Sequence, residues 1–215
     1  VWLPLVILLI LTLGLAARLR DVAVALSRNR WAQGYAFFFL LLLTTLLLTL
    51  PLNIYSHHVS LAYGFSVQGW ASWWGDQAKS FGLKWLIGGL LTIILAWVIA
   101  KLHSRWWLWF WMVAVVFTVA GVFITPYVID PMFNSFEPLS ASNPALVQRL
   151  EQVVERGGIV IPPERMFLMK ASAKVTTLNA YVTGFGASKR VVVWDTTIAK
   201  ATPDEIAFIF AHESG

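Results

Sequence analysis

The residues with the most chemistry per position are the last four, His212-Glu213-Ser214-Gly215. They match the opening of H-E-x-x-H, whose two histidines share one helix face because a turn takes about 3.6 residues. A single zinc ion takes both imidazoles. The adjacent glutamate holds a water and removes its proton, which is the chemistry of metal-assisted hydrolysis. The string stops one residue before its second histidine and the chain opens on Val1 rather than methionine, so trimming at both ends is expected. A His-Glu pair alone is more often a chance surface or core pair, and its surroundings decide its weight.

Those surroundings begin with Thr202-Pro203-Asp204-Glu205. Thr202 suits an N-cap, Pro203 the first helical position, and Glu205 closes a capping box. The helix then starts about two and a half turns before His212. Residues 206–211 are apolar nearly all round, so this helix is expected to be buried. An imidazole and a carboxylate inside such a helix need partners, either a metal or a hydrogen-bonding neighbour in the core.

Composition says where the helix lives. The chain is 58% hydrophobic and 13% charged, against about 25% charged in soluble domains, so an integral membrane protein in a lipid bilayer is expected. Four stretches, residues 1–17, 35–55, 81–100 and 106–127, come near the roughly 20 residues that a bilayer core requires. Residues 1–127 therefore read as a transmembrane helical region. The first stretch lacks a small-x-small cleavage site before Arg18, which argues against a signal peptide. Trp70, Trp73 and Trp74 precede the third stretch, and Trp106, Trp107, Trp109 and Trp111 open the fourth, where interfacial aromatic belts belong.

Arg18, Arg20, Arg28 and Arg30 follow the first stretch, and Lys101 with Arg105 lies between the last two. The positive-inside rule makes both groups cytoplasmic and puts everything after the fourth span outside. Anionic headgroups account for the net charge of +5, so no nucleic-acid partner is needed. Cysteine is absent, which excludes disulfides, thiolate metal sites and a cysteine nucleophile.

Residues 128–215 read as the first part of an ordinary globular domain. Asn143 caps a helix opened by Pro144, with Leu146, Val147, Leu150, Val153 and Val154 as its apolar stripe and Gly157-Gly158 as its end. A strand is predicted around residues 166–169. Two more, 179–183 and 189–194, are joined by the five residues from Gly184 to Ser188, the pattern of a hairpin. Gly184-x-Gly186 lacks both a third glycine and a following helix, so it is not a nucleotide loop. The adjacent His57 and His58 point different ways on a helix and read as interfacial polar residues rather than a metal pair, and His103, in its basic loop, only supports orientation.

Several strings in order carry a family resemblance. They are Ile129-Asp130-Pro131-Met132-Phe133-Asn134-Ser135-Phe136-Glu137-Pro138-Leu139, Asn179-Ala180-Tyr181-Val182-Thr183-Gly184-Phe185-Gly186, Lys189-Arg190-Val191-Val192-Val193-Trp194-Asp195-Thr196, and Ala211-His212-Glu213-Ser214-Gly215. Together they resemble the integral-membrane zinc metallopeptidases of the CAAX prenyl protease 1 type and their bacterial relatives. Pro51, Tyr55, Gly64-Phe65 and Lys79 resemble the family's membrane region. Val59-Ser60-Leu61-Ala62 stands where many members are acidic, and Ser66 where asparagine is usual; these departures bear on substrate class rather than on chemistry.

The four apolar stretches give a membrane α-helical bundle of about four transmembrane helices, and the resemblance implies that the start of an α+β zincin-like metallopeptidase domain follows. It implies His212 as the first zinc ligand and Glu213 as general base, with a second histidine and a later glutamate beyond Gly215. It implies that Asn179, Ala180, Tyr181 and Val182 form the edge strand that binds substrate, a peptide or protein that can carry a lipid. It implies a bacterial inner-membrane protein with its zinc site open to the cytosol, against the arginine count. Lacking the remaining zinc ligands, the 215-residue chain itself is expected to be inactive. A non-catalytic membrane scaffold or substrate-binding fragment is the alternative class, separable by zinc binding. A transporter fits less well, because the spans lack buried charges.

Overall fold

Long apolar runs make long helices, and five of them begin the chain: α1 (Trp2–Thr12), α2 (Leu15–Leu26), α3 (Arg30–Ala62), α4 (Trp70–Leu102) and α5 (Trp106–Ile124). The computed structural model describes residues 2–102, 104–157 and 161–214. The expectations for His103, Gly158 and Gly215, and those for the Glu213 side chain, lie outside the described residues. Residues 1–59 with 71–115 form one compact unit, and residues 60–70 with 116–215 form a second.

In the first unit, α3, α4 and the segment Trp106–Phe133 that starts there are each long and apolar enough to cross a membrane; α1 and α2 make a fourth span only if their bent pair is counted as one. The run at 1–17, read as one straight span, breaks after Thr12. Gly14 adopts φ +64°, a left-handed conformation that glycine tolerates, and the two helices meet at a 73° bend. Helices α3 and α4 extend well past the predicted 35–55 and 81–100, because hydropathy sees only the apolar middle of a helix and not its polar turns. The two pack closely through small residues: a Cβ on Gly88 would collide with the Phe38 ring, and one on Gly89 would lie 2.6 Å from the Tyr35 ring. Phe39 meets Trp85 edge-on at 5.4 Å. Thr45 and Thr49 return their hydroxyls to the carbonyls of Leu41 and Thr45, each at 2.9 Å, which satisfies them where water is absent. His57 is buried and stacks on Trp73 at 5.2 Å, whereas His58 is exposed. The adjacent pair does point different ways.

In the second unit, α5 is followed by a π-helical turn, Thr125–Ile129, and α6 (Asp130–Phe133). Then come β1 (Phe136–Pro138), α7 (Leu139–Ser142), α8 (Pro144–Arg156), β2 (Met166–Met169), β3 (Ala180–Thr183), β4 (Arg190–Trp194), α9 (Asp195–Lys200) and α10 (Pro203–Ser214). The Asn143 side chain accepts from the Leu146 amide at 3.1 Å, the predicted cap of α8, and such caps contribute about 1 kcal/mol. The strand order is β1-β2-β4-β3. β1 runs antiparallel to β2, β2 parallel to β4, and β3 antiparallel to β4 in the expected hairpin. Alternation along β4 sends Val191 and Val193 to one face of the sheet and Val192 to the other. The first face carries the main core, with Leu146 and Leu150 of α8 and Ile206 and Phe210 of α10. Each such side chain fully removed from water contributes about 1.5–3 kcal/mol.

Candidate functional site

Helix α10 begins as its sequence predicts. Glu205 accepts from the Thr202 amide at 2.7 Å and from its hydroxyl at 2.9 Å, while the Glu205 amide approaches the Thr202 hydroxyl at 3.4 Å. The Thr202 amide and hydroxyl, as hydrogen-bond donors, hold the Glu205 carboxyl below its usual value. The expected all-round burial does not occur. Ile206, Ala207 and Phe210 are buried, but Phe208 is 76% exposed and His212 is exposed. Only one side of the helix meets α8 and the sheet, so its apolar residues divide between core and surface.

The donor set can be tested against a metal. Among the described residues no three His, Asp or Glu side chains come together, whereas catalytic zinc normally takes three protein ligands. In the last turn of α10, His212 is a described side chain of a type that ligates zinc.

Among the described residues, strand β3 is one of the two edge strands of the sheet, β1 being the other. The Trp194 amide donates to the Asn179 carbonyl at 3.1 Å. Tyr181 and Thr183 then exchange bonds with β4, and alternation turns the backbone groups of Ala180 and Val182 outward. The four predicted substrate residues are therefore contiguous but differently placed. The Asn179 side chain is exposed, Ala180 is buried in the main core, Val182 packs against it, and Tyr181 joins the opposite face. Burial, reinforced by the Asp130 carboxylate and opposed by Arg190, holds the Tyr181 phenol above its ordinary value, so it stays protonated. α10 packs beside β3.

Residues 195–197, whose role sequence reading missed, fix that edge. The Thr197 hydroxyl, fully buried, accepts from the Asn179 amide at 2.8 Å and donates to its carbonyl at 2.7 Å. Thr196 donates to the Thr177 carbonyl at 2.7 Å, and Lys200 to that of Thr176 at 2.9 Å. The Asp195 carboxylate accepts from the Ser172 amide at 2.9 Å, the Ser172 hydroxyl and the Thr196 amide. Burial pushes against ionisation there, but these hydrogen bonds outweigh it and keep Asp195 below its usual range. The first turn of α9 thus ties down the whole approach to β3. Its sequence signals were the polar Asp195-Thr196-Thr197 string straight after the apolar β4 and the place of Asp195-Thr196 in one of the family strings.

Ser66 also finds a role. Its hydroxyl donates to the Lys174 carbonyl at 3.0 Å, the Val67 amide donates to the same carbonyl at 2.9 Å, and the Thr176 amide donates to the Phe65 carbonyl at 3.2 Å. The 64–67 turn is thereby stitched to the segment leading into β3. Gly64 makes the turn at φ +71°.

Residues 2–135 match the family model described as CAAX prenyl protease N-terminal, five membrane helices, and residues 140–215 match that of Peptidase family M48. The chain belongs to peptidase family M48, CAAX prenyl protease type. The resemblance carried by the N-A-Y and P-x-F-N-x-F-x-P-L strings is borne out, as is the fold class of a membrane helical region leading into a small sheet-and-helix domain. Among M48 relatives, the chain is 37% identical over 206 residues to the Uncharacterized metalloprotease YhfN of Bacillus subtilis, covering 96% of this chain and 47% of that protein. It is 34% identical over 187 residues to CAAX prenyl protease 1 of Saccharomyces cerevisiae, covering 86% and 40%. The crystal structure of S. mikatae Ste24p superposes with a TM-score of 0.85 at 30% identity, covering 96% of this chain and 49% of that one. The chain spans about half the length of the M48 relatives it matches. With its apolar helices, it is an integral membrane protein.

Proposed function

We propose that these residues are part of a membrane-embedded zinc endopeptidase that cleaves membrane-proximal or lipid-modified polypeptides. The observation that carries the reading is α10, capped at Thr202 and bearing His212-Glu213, lying beside an edge strand with open backbone groups. Ala180 and Val182 offer donors and acceptors to an extended peptide, which binds by strand addition largely independently of its sequence. The exposed Asn179 amide can both donate and accept, and contacts the substrate backbone. Glu213 takes the proton of the attacking water and passes it to the leaving amine. His212 is one metal ligand, and zinc, when bound, supplies Lewis-acid polarisation. The names of the CAAX prenyl protease relatives favour prenylated substrates.

Equilibrium dialysis tests the metal assignment. A longer protein that includes the second histidine and the later glutamate is expected to bind about one zinc tightly, and the 215-residue chain to bind it weakly. Tight binding by the short chain, or none by the long one, would overturn the assignment.

The membrane is proposed to be a bacterial cell membrane, with residues 128–215 in the cytosol despite the arginine count. Oriented vesicles treated with an added protease decide the side. Cleavage within 128–215 from the cytosolic face is expected, and cleavage from the outer face alone would reverse the orientation.

A further inference from the structure

An open cleft of about 780 Å³ lies among α2, the start of α3 and the end of α4. Its size falls within the roughly 300–1,000 Å³ of small-ligand sites. Arg20, Arg30 and Lys101 line it together with Trp31, Phe37 and Trp97, and no carboxylate does among the described residues. Arg20 is already paired with Asp21 at 2.7 Å and points largely to solvent. Arg30 and Lys101 therefore bring positive charge that no described residue lining the cleft neutralises, and beside it stand aromatic and aliphatic walls. The complementary ligand is an amphipathic anion.

Position narrows this further. Arg30 opens α3 and Lys101 is in the last turn of α4, where two membrane-capable helices pass from apolar to charged sequence. That is headgroup level, and basic pockets between helices at this level suit anionic lipid headgroups. We propose that the cleft binds one anionic phospholipid, with its phosphate held by Arg30 and Lys101 and an acyl chain along Phe37 and Trp97. The site is independent of the peptidase reading.

Native mass spectrometry of the detergent-solubilised protein tests this with phosphatidylglycerol, phosphatidylcholine or inorganic phosphate added. One phosphatidylglycerol is expected to be retained, and the Arg30→Gln/Lys101→Gln protein is expected to hold it on the order of tenfold more weakly. Arg18→Gln/Arg28→Gln removes the same charge outside the cleft and should leave retention unchanged. Ala96→Phe fills the cleft but keeps both cations, so it should weaken retention even if the double variant folds poorly. Equal loss in both double variants would mean diffuse surface attraction and overturn the proposal. Equal retention of phosphatidylcholine, displacement by phosphate alone, or a wild type that retains no lipid would each do the same.

Discussion

Glu213→Gln in a protein carrying the complete zinc motif is expected to lower kcat on a peptide by about a hundred- to ten-thousand-fold, the usual contribution of a positioned general base. The amide keeps the size and much of the hydrogen-bonding capacity of the carboxylate but cannot accept a proton at neutral pH. Zinc content and KM should therefore stay close to wild type, and kcat and kcat/KM should fall together, as when an interaction made only in the transition state is removed. His212→Ala separates the roles. It should lose metal as well as rate, whereas Glu213→Gln should lose rate alone. A chelator should silence the wild type, and added zinc should restore it. Full activity in Glu213→Gln would remove the proposed mechanism, and metal-independent binding of peptide with no turnover would favour a scaffold.

What the sequence disclosed of this site was local. The Asn143 cap, the Thr202 capping box and the Gly184–Ser188 connection each lie within a few residues, and each appears in the structure at the predicted place. Contacts that cross the chain were not legible. Thr197 meets Asn179 from 18 residues away, and nothing in a valine-rich strand followed by Asp-Thr-Thr announces that its hydroxyl replaces part of the β ladder. β1 is three residues long and contains a proline, so it shows no alternation and is defined only by its pairing with β2. The bend after Thr12 escapes sequence reading for another reason. The leucine-rich run before Gly14 and Leu15-Ala16-Ala17 after it give one continuous hydropathy signal, and one backbone angle breaks it. The final helix departs from its expected burial because apolar residues all round a helix do not fix how many sides have neighbours.

Arg190 is the strongest instance of chemistry hidden by distance, and replacing it is the stability change expected to be largest. Its side chain is 4% exposed within β4. Nη1 donates to the Pro126 carbonyl at 2.7 Å and Nη2 to the Asp130 carboxylate at 2.7 Å, 64 and 60 residues away. The guanidinium also lies 5.3 Å from the Phe136 ring centroid, 5.7 Å from that of Phe167 and 5.8 Å from that of Tyr127. One cation thus joins the turn after α5, β1 and β2 to the strand that carries the β3 edge.

Breaking a fully buried pair costs about 3–5 kcal/mol. The Asp130 side chain keeps 27% of its exposure, so Arg190→Met, which leaves a carboxylate able to reach water, should cost less, about 2–4 kcal/mol. Asp130→Leu should cost more than Arg190→Met, because the guanidinium it strands is nearly dry. Arg190→Met/Asp130→Leu replaces the pair by apolar side chains and should recover much of the loss, although the cation–π contribution of about 0.5–2 kcal/mol is not restored. Unfolding midpoints of the four proteins in one detergent measure the coupling. Costs that add to within about 0.5 kcal/mol would mean that Arg190 and Asp130 act separately, and that the fastening of β4 lies in the Pro126 carbonyl and the aromatic rings.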